Sequence, residues 1–123
     1  MNISSVNLEY LTAEFPSNKE TVARVVDFFK SRTQGGSASQ KVFSINRIYD
    51  VIEPPSQAVL AKVLRRLVQE GLLDEFIRVE FDSMGVGDFP SLSDVPEEIY
   101  DWHRDVNVTV QPEQLRLYYK IHG

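Results

Sequence analysis

Cysteine is absent from this chain, which removes disulfides, thiol nucleophiles and thiolate metal ligands together and suits a reducing compartment. Histidine is nearly absent as well: the two present, His103 and His122, are too few to build a histidine-based metal site. No apolar run approaches the roughly 20 residues needed to cross a bilayer. Nor does the opening stretch, residues 1 to 7, carry a basic n-region and an apolar h-region. The expectation is a cytoplasmic protein with no membrane segment, no metal and no cofactor. The phosphate-cradling glycine loop is missing too. Gly85-x-Gly87 lacks a third glycine and does not lead from a strand into a helix, so it reads as a loop. Internal repeats and low-complexity tracts are also lacking.

What is present is a chain of 123 residues, 42% hydrophobic and 25% charged. That balance is globular, and the length is enough for one domain to bury a core without metals or disulfides. The net charge of -5 weighs against nucleic acid, which normally demands a basic balance or patch. Its distribution says more. Residues 1 to 73 carry nine Lys or Arg against seven Asp or Glu, whereas residues 74 to 105 carry ten acids against only Arg78 and Arg104.

Residues 17 to 32 read as an amphipathic helix. Ser17 and Glu20 have capping-box spacing, and Val22, Val25, Val26 and Phe29 recur at one helical stripe. Lys30 and Arg32 suit the negative end of the helix. A short helix before it is suggested by Leu8, Leu11 and Phe15, and Thr33 to Gln40, with Gly35-Gly36, reads as a flexible loop. Lys41-Val42-Phe43 is a short strand candidate. Ser44 is placed to cap a helix over residues 45 to 52 carrying Ile45, Ile48, Tyr49 and Ile52. Glu53-Pro54-Pro55 must end it. Ser56 then caps a helix over 56 to 70 whose apolar face is Leu60, Val63, Leu64, Leu67 and Val68, with Gly71 as its left-handed terminator.

Beyond Gly71 the apolar period changes from helical to alternating. Ile77, Val79 and Phe81 mark a half-buried strand over 75 to 82. Val106-Val108-Val110 and Leu115-Leu117-Tyr119-Ile121 mark two more, over 106 to 110 and 115 to 121. Gln111-Pro112-Glu113-Gln114 between these two is placed as a hairpin turn. Residues 83 to 105 form a long acidic insertion, in which Pro96 predicts the start of a short helix over Glu97 to Trp102.

The segment SINRIYDVIEPPSQAVLAKVLRRLVQEGLL, Ser44 to Leu73, resembles the second and third helices of the winged helix-turn-helix superfamily. Its Leu64, Leu67, Gly71, Leu72 and Leu73 match the Leu-x-x-Leu-x-x-x-Gly-Leu-Leu ending common there. The resemblance implies an α+β winged-helix domain over residues 1 to 123. It would have a three-helix core and a small antiparallel sheet, and here the wing carries the long acidic insertion. It also implies a DNA-binding regulator, probing the major groove with the third helix through Gln57, Lys62, Arg65, Arg66 and Gln69. Against this, an amphipathic helix must turn polar residues outward whatever its function, and Lys and Arg are good helix formers. An acidic wing would also repel the phosphate backbone.

Signs of catalysis are slight. Asp101-Trp102-His103 offers an acid and a base, but neighbouring side chains point apart and no nucleophile accompanies them. An enzyme is the most remote reading. The insertion instead combines aromatic and acidic residues: Tyr100 and Trp102 lie among Asp94, Glu97, Glu98 and Asp101. Aromatic anchors rimmed by charge are frequent at protein interfaces, and dense acidity steers a basic partner. The alternative is a solvated loop whose aromatics pack onto the sheet. The favoured expectation is a non-enzymatic protein-binding module, monomeric or homodimeric, docking on a basic protein. Immunity or antitoxin proteins that neutralise a basic nuclease toxin offer an analogy of size and charge. The second expectation is a DNA-binding transcriptional regulator.

Overall fold

The computed structural model describes residues 8 to 32 and 42 to 122. The readings made for residues 1 to 7 and 33 to 41 lie outside the described residues, as does the side chain of Leu8. The described chain is mixed α and β and divides into two compact units. One comprises residues up to Asp74 together with the end of the chain from Tyr119, and the other runs from Glu75 to Tyr118.

The first unit is mainly helical, with α1 (Leu8–Glu14), α2 (Lys19–Lys30), α3 (Ile45–Ile52) and α4 (Gln57–Gln69), and the short strand β1 (Val42–Ser44) just before α3. Capping serines start α3 and α4. Ser44 accepts a hydrogen bond from the Arg47 N–H and Ser56 from the Val59 N–H, at 3.2 and 3.1 Å. Each satisfies one of the N–H groups that a helix start leaves without a partner. Glu53 ends α3 in the left-handed region before the two prolines. Gly71, at φ 75°, turns the chain out of α4, as glycine does without steric cost. The start of α2 differs from expectation. Its N-cap is Asn18, with no side-chain cap hydrogen bond, and Glu20 pairs with Arg24 one turn on, at 2.6 Å. An i,i+4 ion pair has replaced the Ser17–Glu20 capping box.

The stripes read from the sequence meet in one core. Val22, Val25, Val26 and Phe29 of α2, Ile48 and Ile52 of α3, and Leu60, Val63, Leu64 and Leu67 of α4 are all buried. Phe28, Phe29 and Phe43 add edge-to-face ring contacts at 5.1 to 5.9 Å between centroids, a geometry favoured by the ring quadrupoles. No helix among the described residues is long and apolar enough to cross a membrane.

The remaining strands are β2 (Leu73–Phe81), β3 (Met84–Phe89), β4 (Glu98–Asp101), β5 (Val106–Thr109) and β6 (Leu115–Ile121). One sheet has the order β1-β6-β2-β3, and β4 and β5 form a second, two-stranded sheet. β2 and β3 are antiparallel, joined tightly so that Phe81 opposes Met84. The two loop residues, Asp82 and Ser83, both have positive φ, which matches the twist of a two-residue hairpin.

Three expectations for the chain after β2 are corrected. The region containing Gly85 and Gly87 is strand β3, not a loop; its glycines admit close neighbours. A Cβ on Gly87 would stand 2.9 Å from Ile99 Cδ1, and one on Gly85 would stand 3.0 Å from Arg78 Cδ, the close approach for which strands retain glycine. Residues 98 to 101 are strand, not helix. Acidic residues after a proline mimic a helix start, but so short a helix is marginal alone, and β4 gains a ladder by pairing with β5. Finally, β5 pairs with β4 rather than forming a hairpin with the 115 to 121 strand. The segment between β5 and β6 is instead a 3-10 turn, Pro112–Gln114.

Candidate functional site

The β4–β5 hairpin gathers most of the acidic and aromatic residues singled out from the sequence. Its register sets Glu98 opposite Thr109, Ile99 opposite Val108, Tyr100 opposite Asn107 and Asp101 opposite Val106. Alternation along a strand therefore divides it into two faces. Ile99, Asp101 and Val108 are buried or half-buried, whereas Glu98, Tyr100, Asn107 and Thr109 are exposed. Ile99 is the residue that meets Gly87 of β3, so the inner face is seated and the outer face is free.

Between the strands, residues 102 to 105 make a turn fastened from within. Asp101 is only 1% exposed, and its carboxylate accepts from the His103 N–H at 3.0 Å and from Arg104 Nε at 2.7 Å. Arg104, bonded to it, holds that carboxyl below the usual carboxylate range against the opposing effect of desolvation; charge-assisted hydrogen bonds favour the ionised acid in this way. The same guanidinium reaches Asp82 in the β2–β3 turn, 3.4 Å away. Asp105 takes a positive φ of 55°, a conformation Asp tolerates better than most residues. Its carboxylate accepts the Tyr100 hydroxyl, which raises the phenol's pKa.

This held turn projects Trp102, 60% exposed, with its ring tilted against that of His103 at 3.6 Å between centroids. Tyr100 and Val106 are 49% and 45% exposed. Asp94, Glu97 and Glu98 are exposed on the chain leading into the hairpin; the Glu97 carbonyl accepts the Val110 N–H at 2.9 Å. Of the six residues proposed from sequence for protein binding, five thus reach the surface. The sixth, Asp101, is buried and positions the turn. Its carboxylate is occupied by the His103 backbone and by Arg104, so the pairing of an acid with an imidazole base considered for catalysis is not what these residues form.

Sequence reasoning missed Arg104 and Asp105 as the residues fastening the turn, and Asn107 and Thr109 as outer-face residues. The signal for the last two lay in the alternation of Val106, Val108 and Val110, which placed them on the other face but could not say against which strand.

Gln57, Lys62, Arg65 and Gln69 of α4, the residues of the nucleic-acid alternative, are exposed. Arg66 is already engaged. Its Nε lies 2.6 Å from Glu14 and its Nη2 lies 2.5 Å from Glu70, and Nη2 also donates to the Tyr10 hydroxyl at 2.9 Å. It therefore ties α1 to α4. A cleft beside this face is lined by Ile45, Asn46 and Tyr49 of α3 and by Gln57, Ala58, Leu60 and Ala61 of α4.

Comparison of the chain with protein-family models, curated proteins and solved structures gives no match.

Proposed function

We propose that this protein is a non-enzymatic binding module that docks on a basic protein through the β4–β5 hairpin. The observation carrying this reading is Trp102, a largely exposed indole in a turn that a buried, doubly hydrogen-bonded carboxylate holds in place. Exposing so large an apolar ring on a preorganised turn suits an anchor, because little conformational entropy is lost when it is captured. The surrounding acids supply the second part. Residues 75 to 118 carry ten Asp or Glu against Arg78, Arg104 and Arg116, and a field of one sign raises the encounter rate with an oppositely charged partner. Within this reading residues 1 to 123 are a winged helix whose wing carries the hairpin. The partner class is that of basic toxins, nucleases among them, neutralised by a small acidic immunity or antitoxin protein in the cytoplasm.

The test is retention from native lysate on immobilised protein, with and without nuclease treatment. One basic protein should be held by the wild type in a nuclease-insensitive way. It should elute at lower salt from a variant with Asp94, Glu97 and Glu98 replaced by their amides, and be lost from Trp102→Ala. Retention that is identical on all three proteins, or that vanishes with nuclease, refutes the reading.

A second reading, duplex binding through α4, is favoured by the shared exposure of Gln57, Lys62, Arg65 and Gln69. Engagement of Arg66 by Glu14 and Glu70 removes one of its cations.

A further inference from the structure

The backbone of β5 offers something its side chains do not. The Val110 N–H donates to the Glu97 carbonyl, which makes residues 97 and 110 a hydrogen-bonded pair. Antiparallel ladders alternate hydrogen-bonded with non-hydrogen-bonded pairs. In the observed register, Ile99 with Val108 and Asp101 with Val106 are therefore the pairs that bond across the hairpin. Glu98 with Thr109 and Tyr100 with Asn107 are the pairs whose N–H and C=O groups point away from it. The sheet containing β4 and β5 has two strands only, so the outward groups of Asn107 and Thr109 have no ladder partner among the described residues.

Edge strands are ordinarily blunted by lysine, proline, a bulge or an inward charge, because an open edge recruits other strands. Residues 106 to 110 read Val-Asn-Val-Thr-Val, with no charge, no proline and no glycine, in a chain that is 25% charged. β-branched residues fill three of these positions on one face and one on the other, the composition that favours strand pairing. Asn107 and Thr109 are exposed. β4, by contrast, carries Glu98 and Asp101 and is the strand that meets β3 through Ile99.

We infer that β5 receives an extended, basic segment of the partner as a third strand. Main-chain bonds to Asn107 and Thr109 supply affinity, and lysine or arginine at alternate positions of the segment lie over the Glu98 and Tyr100 face. The occupant is a basic strand and not a second copy of this chain, because two copies would bring together units that each hold ten acids against three arginines. Like-charge juxtaposition of that kind opposes association. The inference rests on the docking reading above and specifies how the hairpin holds its partner.

The probes are an eight-residue peptide of alternating lysine and valine and the same peptide N-methylated at every lysine, which keeps the charge but sets a methyl group against β5 where a ladder needs an N–H. Amide hydrogen exchange is followed by NMR on the intact chain. The lysine-valine peptide should slow exchange at Asn107 and Thr109 at least tenfold, and the N-methylated peptide should leave both unchanged. Thr109→Pro, which removes an outward N–H and none of the β4–β5 ladder, should weaken binding of the lysine-valine peptide at least tenfold, while Thr109→Ala binds as wild type. Protection at Asn107, read in the wild type, does not depend on the proline variant folding. Equal, salt-dependent binding of both peptides without protection overturns strand addition and leaves charge-driven docking standing. Absence of salt-dependent binding by either peptide counts against both. Concentration-dependent dimerisation abolished by Thr109→Pro overturns the inference by making a second copy the occupant.

Discussion

Gly87 lies where β4 is seated on β3, which makes its replacement a sharp test. Its φ is not in the left-handed region, so alanine is compatible with the backbone, but the added Cβ would stand 2.9 Å from Ile99 Cδ1 and 3.0 Å from Phe89 Cε2. Overpacking of this kind costs about 1 to 3 kcal/mol. Ile99 is only half-buried and Cδ1 is the end of a side chain that can turn, so the lower figure, about 1 kcal/mol, applies to Gly87→Ala. Ile99→Val deletes Cδ1 and, at a half-buried site, should cost about 0.5 kcal/mol. Independent effects would add to about 1.5 kcal/mol, whereas the share of the clash carried by Cδ1 is relieved in the double variant and the share carried by Phe89 is not, a coupling of up to about 1 kcal/mol. Urea unfolding of the four proteins at constant m measures it. Additivity within about 0.3 kcal/mol would show that Ile99 Cδ1 does not oppose the added methyl and would remove this contact between β4 and β3.

Leu67 is fully buried in α4, so Leu67→Ala should lower stability by about 2 to 5 kcal/mol through transfer and cavity terms. An unchanged denaturation midpoint would contradict the assigned core. Arg104, hydrogen-bonded to Asp101, lowers the pKa of that carboxyl, so its contribution to stability is complete above the ordinary Asp value of about 3.9 and disappears as pH falls through that value to the depressed one. Arg104→Gln should make the acid limb of an unfolding titration shallower in this window and leave the neutral-to-alkaline limb unaltered; an identical acid limb would exclude the pair. For the α4 alternative, Lys62→Ala with Arg65→Ala should reduce the salt slope of duplex binding by about two if both contact phosphate. A wild type that shifts no duplex at low salt eliminates that alternative.

The helical unit was legible because its signals are local. Ser44 and Ser56 precede apolar stripes and act as caps, Gly71 follows the last stripe with a positive φ, and Leu60, Val63, Leu64 and Leu67 lie on one face and are buried. The strand unit was less so, because its signals are relational. Gly85 and Gly87 interrupt any apolar alternation, and only the presence of Arg78 and Ile99 above them explains why they are glycine. Pro96, Glu97 and Glu98 imitate a helix start, and only the pairing with Val106 to Thr109 makes the following residues a strand. The exposed acids and Trp102 were identifiable from residue type alone. That Asp101 would be buried, fastening the turn through Arg104 and the His103 N–H, depends on a turn conformation, with a positive φ at Asp105, for which spacing gave no sign.

On the proposed docking reading, acidity brings the partner in and Trp102 holds it. Association and dissociation rates with the captured basic partner, measured across a salt series for three proteins together with their melting points, test it most directly. Replacing Asp94, Glu97 and Glu98 by amides should slow association and flatten its salt dependence with little change in dissociation. Trp102→Ala, removing a ring that is 60% exposed, should leave the melting point within about a degree or two, the scale of an ordinary surface substitution, and speed dissociation by a factor of about 30 or more, as losing a central anchor worth at least about 2 kcal/mol implies. Wild-type rates from both variants, or a Trp102→Ala protein that binds normally but melts many degrees lower, would contradict the account.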